Sequence, residues 1–442
     1  MGARVRLRGG LPAFGRDRDG CEEISSSLSL RGQPRENQVK IYMNSSQKHI
    51  VPYHRPAIGK EEMDEVQDTL LSGWLTTGPK TKRFEEAFAR FIGKKHAVAL
   101  NSATAALHLA LEAIGLQRGD LVVVPTMTFA ATAEVVRYFD ATPLLVDCRE
   151  DDFNIDCCHA RDLVVNAIAR GQKVRAIIPV HYGGQVADME SIRSLASEFN
   201  LAIIEDAAHC CPAYFRDNGN QEWKAVGCDA AISCFSFYAN KCITTGEGGM
   251  ACTDSDKLAE RMRTMSLHGI SKDAWKRFTS EGSWYYEIVA PGFKYNLTDI
   301  AASIGFQQLR KANVFLEERK RIAREYFDRL KTITALILPA EKADRIHSWH
   351  LYVVRLRLDM LNIDRAMVID LLKKMGITTS VHWMPLHMHP YYRDTYNYKP
   401  RDLPVSSRLY SEIISLPIFP GMTEMDINAV CDSLKTIISE HS

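Results

Sequence analysis

The stretch KHAVALNSATAALHLALEAIGLQRGDLVVVP, residues 95–125, decides how the chain is to be read. KHAVAL is a short apolar run of strand type, and SATAALHLALEAIGL after it has helical apolar spacing with Gly115 near its end. DLVVVP is a second buried strand. The unit then repeats. TFAATAEVVRYF is a helix and TPLLVD a strand, and VRAIIPVH, MESIRSLASEF and LAIIED continue the alternation. Continuous apolar strands separated by amphipathic helices predict an α/β fold with a mainly parallel sheet covered on both faces. Ligands of such sheets collect beyond the carboxyl ends of the strands, so the residues just after each strand are the candidates for chemistry.

Composition narrows the classes of function. The chain has 442 residues, 46% hydrophobic and 25% charged, the balance of an ordinary globular protein long enough for two domains. Lys and Arg number 55 against 54 Asp and Glu, so nothing in the net charge calls for nucleic acid or an anionic membrane as partner. The eleven cysteines follow no zinc spacing and no secretory signal precedes them, which predicts reduced thiols in a cytoplasmic protein. Residues 1–50 are rich in Arg, Gly and Ser without apolar period and are predicted to be a disordered extension. Domain boundaries are expected at 51–296 for a large domain and at 297–442 for a linking helix and a smaller α+β domain. The linking helix is TDIAASIGFQQLRKANVFLEERKRIAREYFDRL.

Three groups fall at strand ends. Ser102, Ala103 and Thr104 open a helix, where free N–H groups and the positive dipole end make either a simple N-cap or a phosphate seat. Glu205 and Asp206 close an apolar strand, as a cap, a metal ligand or the partner of a cationic ring nitrogen. Lys241 follows the strand AAISCFSF and precedes Gly246, Gly248 and Gly249, which should leave the backbone flexible. A lysine beside apolar and aromatic groups loses part of its preference for the charged form and can serve as an amine nucleophile. A phosphate seat, an aromatic after a strand (Phe129), a strand-end carboxylate and then a lysine is the set that pyridoxal 5'-phosphate requires.

The chain resembles the DegT/DnrJ/EryC1/StrS family of pyridoxal-phosphate-dependent nucleotide-sugar aminotransferases from about Val51 to the C-terminus. The motifs that carry the resemblance include SGWLTTGPKTKRFEEAFA, NSATAALHLAL, HYGGQVADM, EDAAH, FSFYANKCITTGEGGM, GFKYNLTDIAASIGFQQL, HSWHLYVVRL and TSVHWMPLHMHPYYR, in order. The resemblance implies the aspartate-aminotransferase-like fold (fold type I). It puts Lys241 on the Schiff-base lysine, Asp206 on the partner of the pyridine nitrogen, His209 near the ring's phenolic oxygen, and Phe129 on the ring face. Ser102, Ala103, Thr104 and Ser236 fall on the phosphate contacts, and Asn296 falls where a neighbouring subunit reaches the phosphate of a shared, homodimeric site. His382 and Trp383 fall on a substrate-facing loop, which looks like that of the C4-acting branch. Lysine rather than histidine at 241 argues for amino transfer and against sugar dehydration. The chain departs from the family pattern at Ala103, where glycine is usual, and at Cys242, Cys210 and Cys211.

The expected activity is transfer of an amino group from an amino acid, L-glutamate, to a nucleotide-linked keto sugar, a 4-keto-6-deoxyhexose, for a cell-surface glycan. Two alternatives stay open. One is another reaction of the same cofactor and fold, a small keto-acid transaminase or a lyase. The other is a cofactor-binding regulator without turnover. A small-substrate enzyme would need an arginine for the carboxylate, and Arg355, Arg357 and Arg393 are candidates. His382, His387 and His389 lack acidic or cysteine companions at ligand spacing, so no metal is expected. HSWHLYVVRL is read as a core strand with Trp349 packed inside.

Overall fold

The computed structural model describes residues 49–217, 219–270 and 286–442. The predicted disorder of residues 1–50 lies, up to position 48, outside the described residues. A seven-stranded sheet holds the first half together. Its strands are β1 (His96–Leu100), β2 (Leu121–Pro125), β3 (Thr142–Val146), β4 (Val174–Ile177), β5 (Ala202–Asp206), β8 (Ile232–Ser236) and β9 (Gly249–Thr253), in the order β1-β9-β8-β5-β4-β2-β3. The short strands β6 (Tyr214–Phe215) and β7 (Lys224–Ala225) pair outside it, with β11 (Arg345–Ile346). β9 runs antiparallel to both neighbours, and the other six strands share one direction.

Alternation along each strand feeds two cores, one on each face of the sheet. Ala97 and Ala99 pack in the core that contains Phe84 and Phe88 of α2 (Pro79–Ile92), with residues of α5 (Cys157–Ala169) and α6 (Met189–Phe199). Val98 and Leu100 pack in the other, with α3 (Ala103–Ala113), α4 (Ala131–Arg137) and α7 (Asp256–Ser266). This two-sided burial explains why the strands read as unbroken apolar runs. The preceding helix α1 (Lys60–Ser72) and α2 pack against α8 (Asp299–Leu330), whose buried Asp299 receives N–H bonds from Gly78, Lys80 and Thr81. That carboxylate satisfies the first donors of α2 from more than two hundred residues away in sequence.

α8 spans two cores. Ala302, Leu309, Ala312 and Phe315 join the first, whereas Ile322, Ala323, Tyr326 and Leu330 join a third. That third core includes β10 (Leu336–Ile337), β12 (Tyr352–Leu356) and β13 (Ile413–Leu416), which form a three-stranded sheet, and α9 (Arg365–Lys374) and α12 (Glu424–His441). Between them α10 (Pro390–Tyr396) and α11 (Pro404–Glu412) complete the chain.

Two sequence expectations are corrected here. Trp349 is buried as expected, but it is not in a strand: its φ is +52°, and β12 starts only at Tyr352. The turn is held by the buried Arg319, which donates to the Trp349 and Ile418 carbonyls at 3.0 and 2.9 Å. The second correction concerns the glycines after Lys241. Gly249 is not a flexible link but the first residue of β9. A Cβ there would sit 2.3 Å from the Ser102 carbonyl carbon and 2.5 Å from the Ala103 nitrogen. Glycine is needed because the strand passes against the backbone that opens α3. Gly249→Ala is therefore expected to cost about 1–3 kcal/mol in stability by overpacking and to displace the first turn of α3. A thermal melt together with a cofactor titration checks it: both Tm and affinity should fall.

Candidate active site

The carboxyl ends of the parallel strands open onto a cavity of about 380 Å³. Ser102, Ala103, Thr104, Phe129, Asp206, His209, Ser236, Lys241, His382 and Trp383 all line it. Residues that lie up to 281 positions apart in sequence are thus brought to one space, and of the residues to which the resemblance gave a role only Asn296 is outside the lining. Asn296 instead donates to Thr77 Oγ1 at 2.7 Å and accepts from Lys294 Nζ at 2.6 Å, beside the end of β1.

Each wall has a local cause. Ser102 caps α3, its Oγ accepting from the Ala105 N–H at 3.0 Å. Ala103 and Thr104 are the first residues of that helix, so their N–H groups have no intrahelical acceptor and, at the cavity wall with the dipole behind them, suit an anion. Ala103 takes ordinary helical geometry, so the departure from glycine costs nothing there. Phe129, just before α4, is 60% exposed, a ring held open for a planar partner. Ser236 ends β8, and the chain then turns so that the Lys241 N–H bonds to the Tyr238 carbonyl at 2.9 Å. Burial pushes the Lys241 ammonium down from 10.5 to about 8, against the pull of Asp206.

Asp206 and Glu205, adjacent on β5, face opposite sides of the sheet. Glu205 meets the buried His181 Nε2 at 3.2 Å, away from the cavity. Asp206 is 6% exposed, and its carboxylate accepts from Thr132 Oγ1 at 2.8 Å and from the Ala208 N–H at 3.2 Å. Burial raises its pKa, opposed by those two donors and by Lys241 and His181. His209 Nδ1 accepts from the Gly183 N–H at 3.2 Å, which leaves the ring proton on Nε2. Its ring lies between His350, at 4.2 Å, and Trp383, stacked at 5.1 Å and 23°. Burial holds His209 well below the usual imidazole range and His382 at about 4, so both are neutral near pH 7. His382 Nδ1 pairs with Ser415 Oγ at 2.8 Å while its ring stacks on Tyr53.

Several lining residues were not found from the sequence: Thr128, Tyr238, Asn240, Glu247 and His350. Tyr238 and Asn240 flank the lysine closely enough to have been considered. His350 stands in HSWHLYVVRL, read above only as core; its neighbour Ser348 bonds the His209 carbonyl at 2.6 Å, which fixes the turn against the site. His387 and His389 are occupied elsewhere, with Thr126 and Ser407 and with the Met384 carbonyl. Among the described residues no group of three or more His, Cys, Asp or Glu side chains could hold a metal ion.

The donor set suits pyridoxal phosphate. Among the described residues no Lys, Arg or His side chain forms an ion pair with Asp206, and a buried carboxylate without a cation is costly. A protonated ring nitrogen supplies that cation, the α3 terminus and Ser236 suit the phosphate, Phe129 suits the ring face, and Lys241 suits the aldehyde carbon.

The chain is similar to known proteins over most of its length. The chain is 46% identical to an uncharacterized protein of Methanocaldococcus jannaschii, over 89% of this chain and 98% of the other. It is 41% identical to the spore coat polysaccharide biosynthesis protein SpsC of Bacillus subtilis, over 90% and 99% of the two chains. The putative sugar aminotransferase Spr1654 of Streptococcus pneumoniae superposes with a TM-score of 0.78 in its pyridoxal phosphate form. It is 31% identical, with 89% of this chain and 99% of that one covered. Residues 56–435 match the DegT/DnrJ/EryC1/StrS aminotransferase family, and the chain belongs to it. It is a pyridoxal-phosphate-dependent aminotransferase of the sugar aminotransferase family, with the fold that the resemblance implied. No helix among the described residues is long and apolar enough to cross a membrane.

The Lys241 amine sets an expected pH profile. Below pH 8 it is mostly ammonium and not nucleophilic; above, it is mostly free amine. Capture of pyridoxal phosphate by the apoprotein, followed by absorbance, should speed up about tenfold from pH 6 to 7 and level off above 9. A midpoint near 10.5 would contradict the buried setting.

Proposed function

We propose that the chain transfers an amino group from L-glutamate to a nucleotide-linked keto sugar, a 4-keto-6-deoxyhexose, to make an amino-sugar precursor of a cell-surface glycan. The observation that carries this reading is the chemistry of the cavity wall. It presents one basic amine, Lys241, with the imidazoles of His209, His350 and His382 and the rings of Phe129 and Trp383. Among the described residues no arginine lines it. A neutral imidazole carries one donor and one acceptor, which suits sugar hydroxyls, whereas an enzyme confined to small keto acids would be expected to hold the carboxylate in an arginine fork. Arg355 is tied to Glu150 and Glu412, and Arg393 to Asp394, away from the cavity. The name of the Bacillus relative, a polysaccharide biosynthesis protein, supports a glycan product.

When bound, pyridoxal phosphate supplies an electron sink for the carbanion left as the donor loses its Cα proton. Lys241 Nζ, largely unprotonated above pH 8, takes that proton and returns it as a general acid. Asp206 would keep a cationic ring nitrogen in place, and the N–H groups of Ala103 and Thr104 with the Ser236 hydroxyl would hold the phosphate. His209 donates its Nε2 proton toward the cavity, while Trp383 and His382 shield the reacting carbon from water. The reading includes a homodimer in which Asn296 of a second copy reaches the phosphate. Asn296 lies outside the lining of its own chain's cavity, as such an arrangement requires.

The test is a panel of keto-sugar nucleotides incubated with L-glutamate and analysed by mass spectrometry. The expected result is an amine in place of the C4 ketone, with one 2-oxoglutarate per product. Amination of small 2-oxo acids with none of any keto sugar would overturn the reading.

A further inference from the structure

A pair of buried threonines behind Asp206 has no part in the chemistry derived above. Thr132, in the first turn of α4, is fully buried and its Oγ1 donates to Asp206 Oδ2 at 2.8 Å. Thr128, almost fully buried, places its Oγ1 2.7 Å from Thr132 Oγ1 and lines the cavity. A hydroxyl has one proton to give. Since Thr132 gives its proton to the carboxylate, Thr128 must donate to Thr132, and the two bonds point the same way. Hydrogen bonds aligned head to tail polarise one another, most strongly in a water-poor interior. With the Ala208 N–H on Oδ1 at 3.2 Å, both carboxylate oxygens accept a protein donor.

We propose that Thr132, polarised by Thr128, is a positioning residue that keeps Asp206 anionic and aims its remaining lone pairs at the cofactor's ring nitrogen. The inference rests on the reading that Asp206 meets that nitrogen. Without Thr132 the buried anion loses its side-chain donor, so the shared proton moves from the ring toward the carboxyl. The electron sink then weakens while the fold and the phosphate seat are untouched. Threonine suits the position because its hydroxyl reaches the carboxylate; valine keeps the shape and removes only the donor.

The experiment compares Thr132→Val, Thr132→Ser, Thr128→Val and Asp206→Asn with the unaltered chain, loading each with pyridoxal phosphate labelled with ¹⁵N at the ring. Two quantities are read: the dissociation constant, and the ¹⁵N shift, which reports ring protonation. A hydrogen bond to a charged group corresponds to roughly a ten- to hundredfold change in an equilibrium constant. Thr132→Val should weaken binding by about that factor and move the ¹⁵N signal toward the unprotonated form. Thr132→Ser should restore both and Thr128→Val should fall between. If Thr132→Val matches the unaltered chain in both while Asp206→Asn loses both, the relay is wrong and the role of Asp206 stands. If Asp206→Asn also leaves both unchanged, the reading beneath it fails with it. A Thr132→Val chain that binds more weakly with the ring still fully protonated also overturns the relay, because a packing defect would do the same.

Discussion

Lys241→Ala is expected to lower the rate of amino transfer by about a thousandfold or more, because in the proposed mechanism one substitution removes both the amine that holds the cofactor and the group that moves the proton. The setting argues that both tasks fall to this residue. Lys241 is the one basic amine in the lining, and burial brings it to about 8, where proton uptake and release are both accessible near neutral pH. The protein should still fold, since removing a buried amine leaves no ion pair broken among the described residues. It should also still take up the aminated form of the cofactor through the α3 terminus, Asp206 and Phe129. Single-turnover kinetics with that form loaded in advance would separate the two tasks. A variant within tenfold of the unaltered rate would show that another group moves the proton.

Asp206→Asn is expected to cost about a hundred- to a thousandfold in kcat, the range for removing one preorganised charge from a water-poor site. The amide keeps the size of the carboxylate but cannot serve as counter-ion to a ring cation. The amide's oxygen can still accept from Thr132 or Ala208, so the geometry behind the site has a way to survive. The loss should therefore appear in kcat more than in the apparent affinity for the amino donor. Equal losses in kcat/KM and in thermal stability would instead mark Asp206 as a structural residue of β5.

The sequence carried the sheet plainly because both of its faces are covered. Strands such as LVVVP have no polar side to blur the apolar run, and the helices between them keep their own period. The strand-end rule then pointed to Ser102, Asp206 and Lys241. What was not legible depends on contacts between distant segments. Asp299 caps a helix that begins at Pro79, and no local pattern announces a cap supplied from so far away. Thr132 looks like an ordinary helix residue in FAATAEVV, and only the fold brings it to Asp206. Trp349 and His350 follow the apolar spacing of a strand, yet Arg319 and Ser348 bend the chain so that His350 turns into the cavity. Gly249 reads as a loosening residue, and it is the close pass of β9 over Ser102 that gives it a purpose.

The most direct measurement is the visible spectrum of the purified protein loaded with pyridoxal phosphate, before and after L-glutamate, with 2-oxoglutarate assayed in parallel. The expected result is a visible band that needs Lys241, bleaches on adding glutamate, and yields one 2-oxoglutarate per active site. A band that forms equally in Lys241→Ala, or that glutamate leaves unchanged with no 2-oxoglutarate released, would contradict the assignment of lysine and donor.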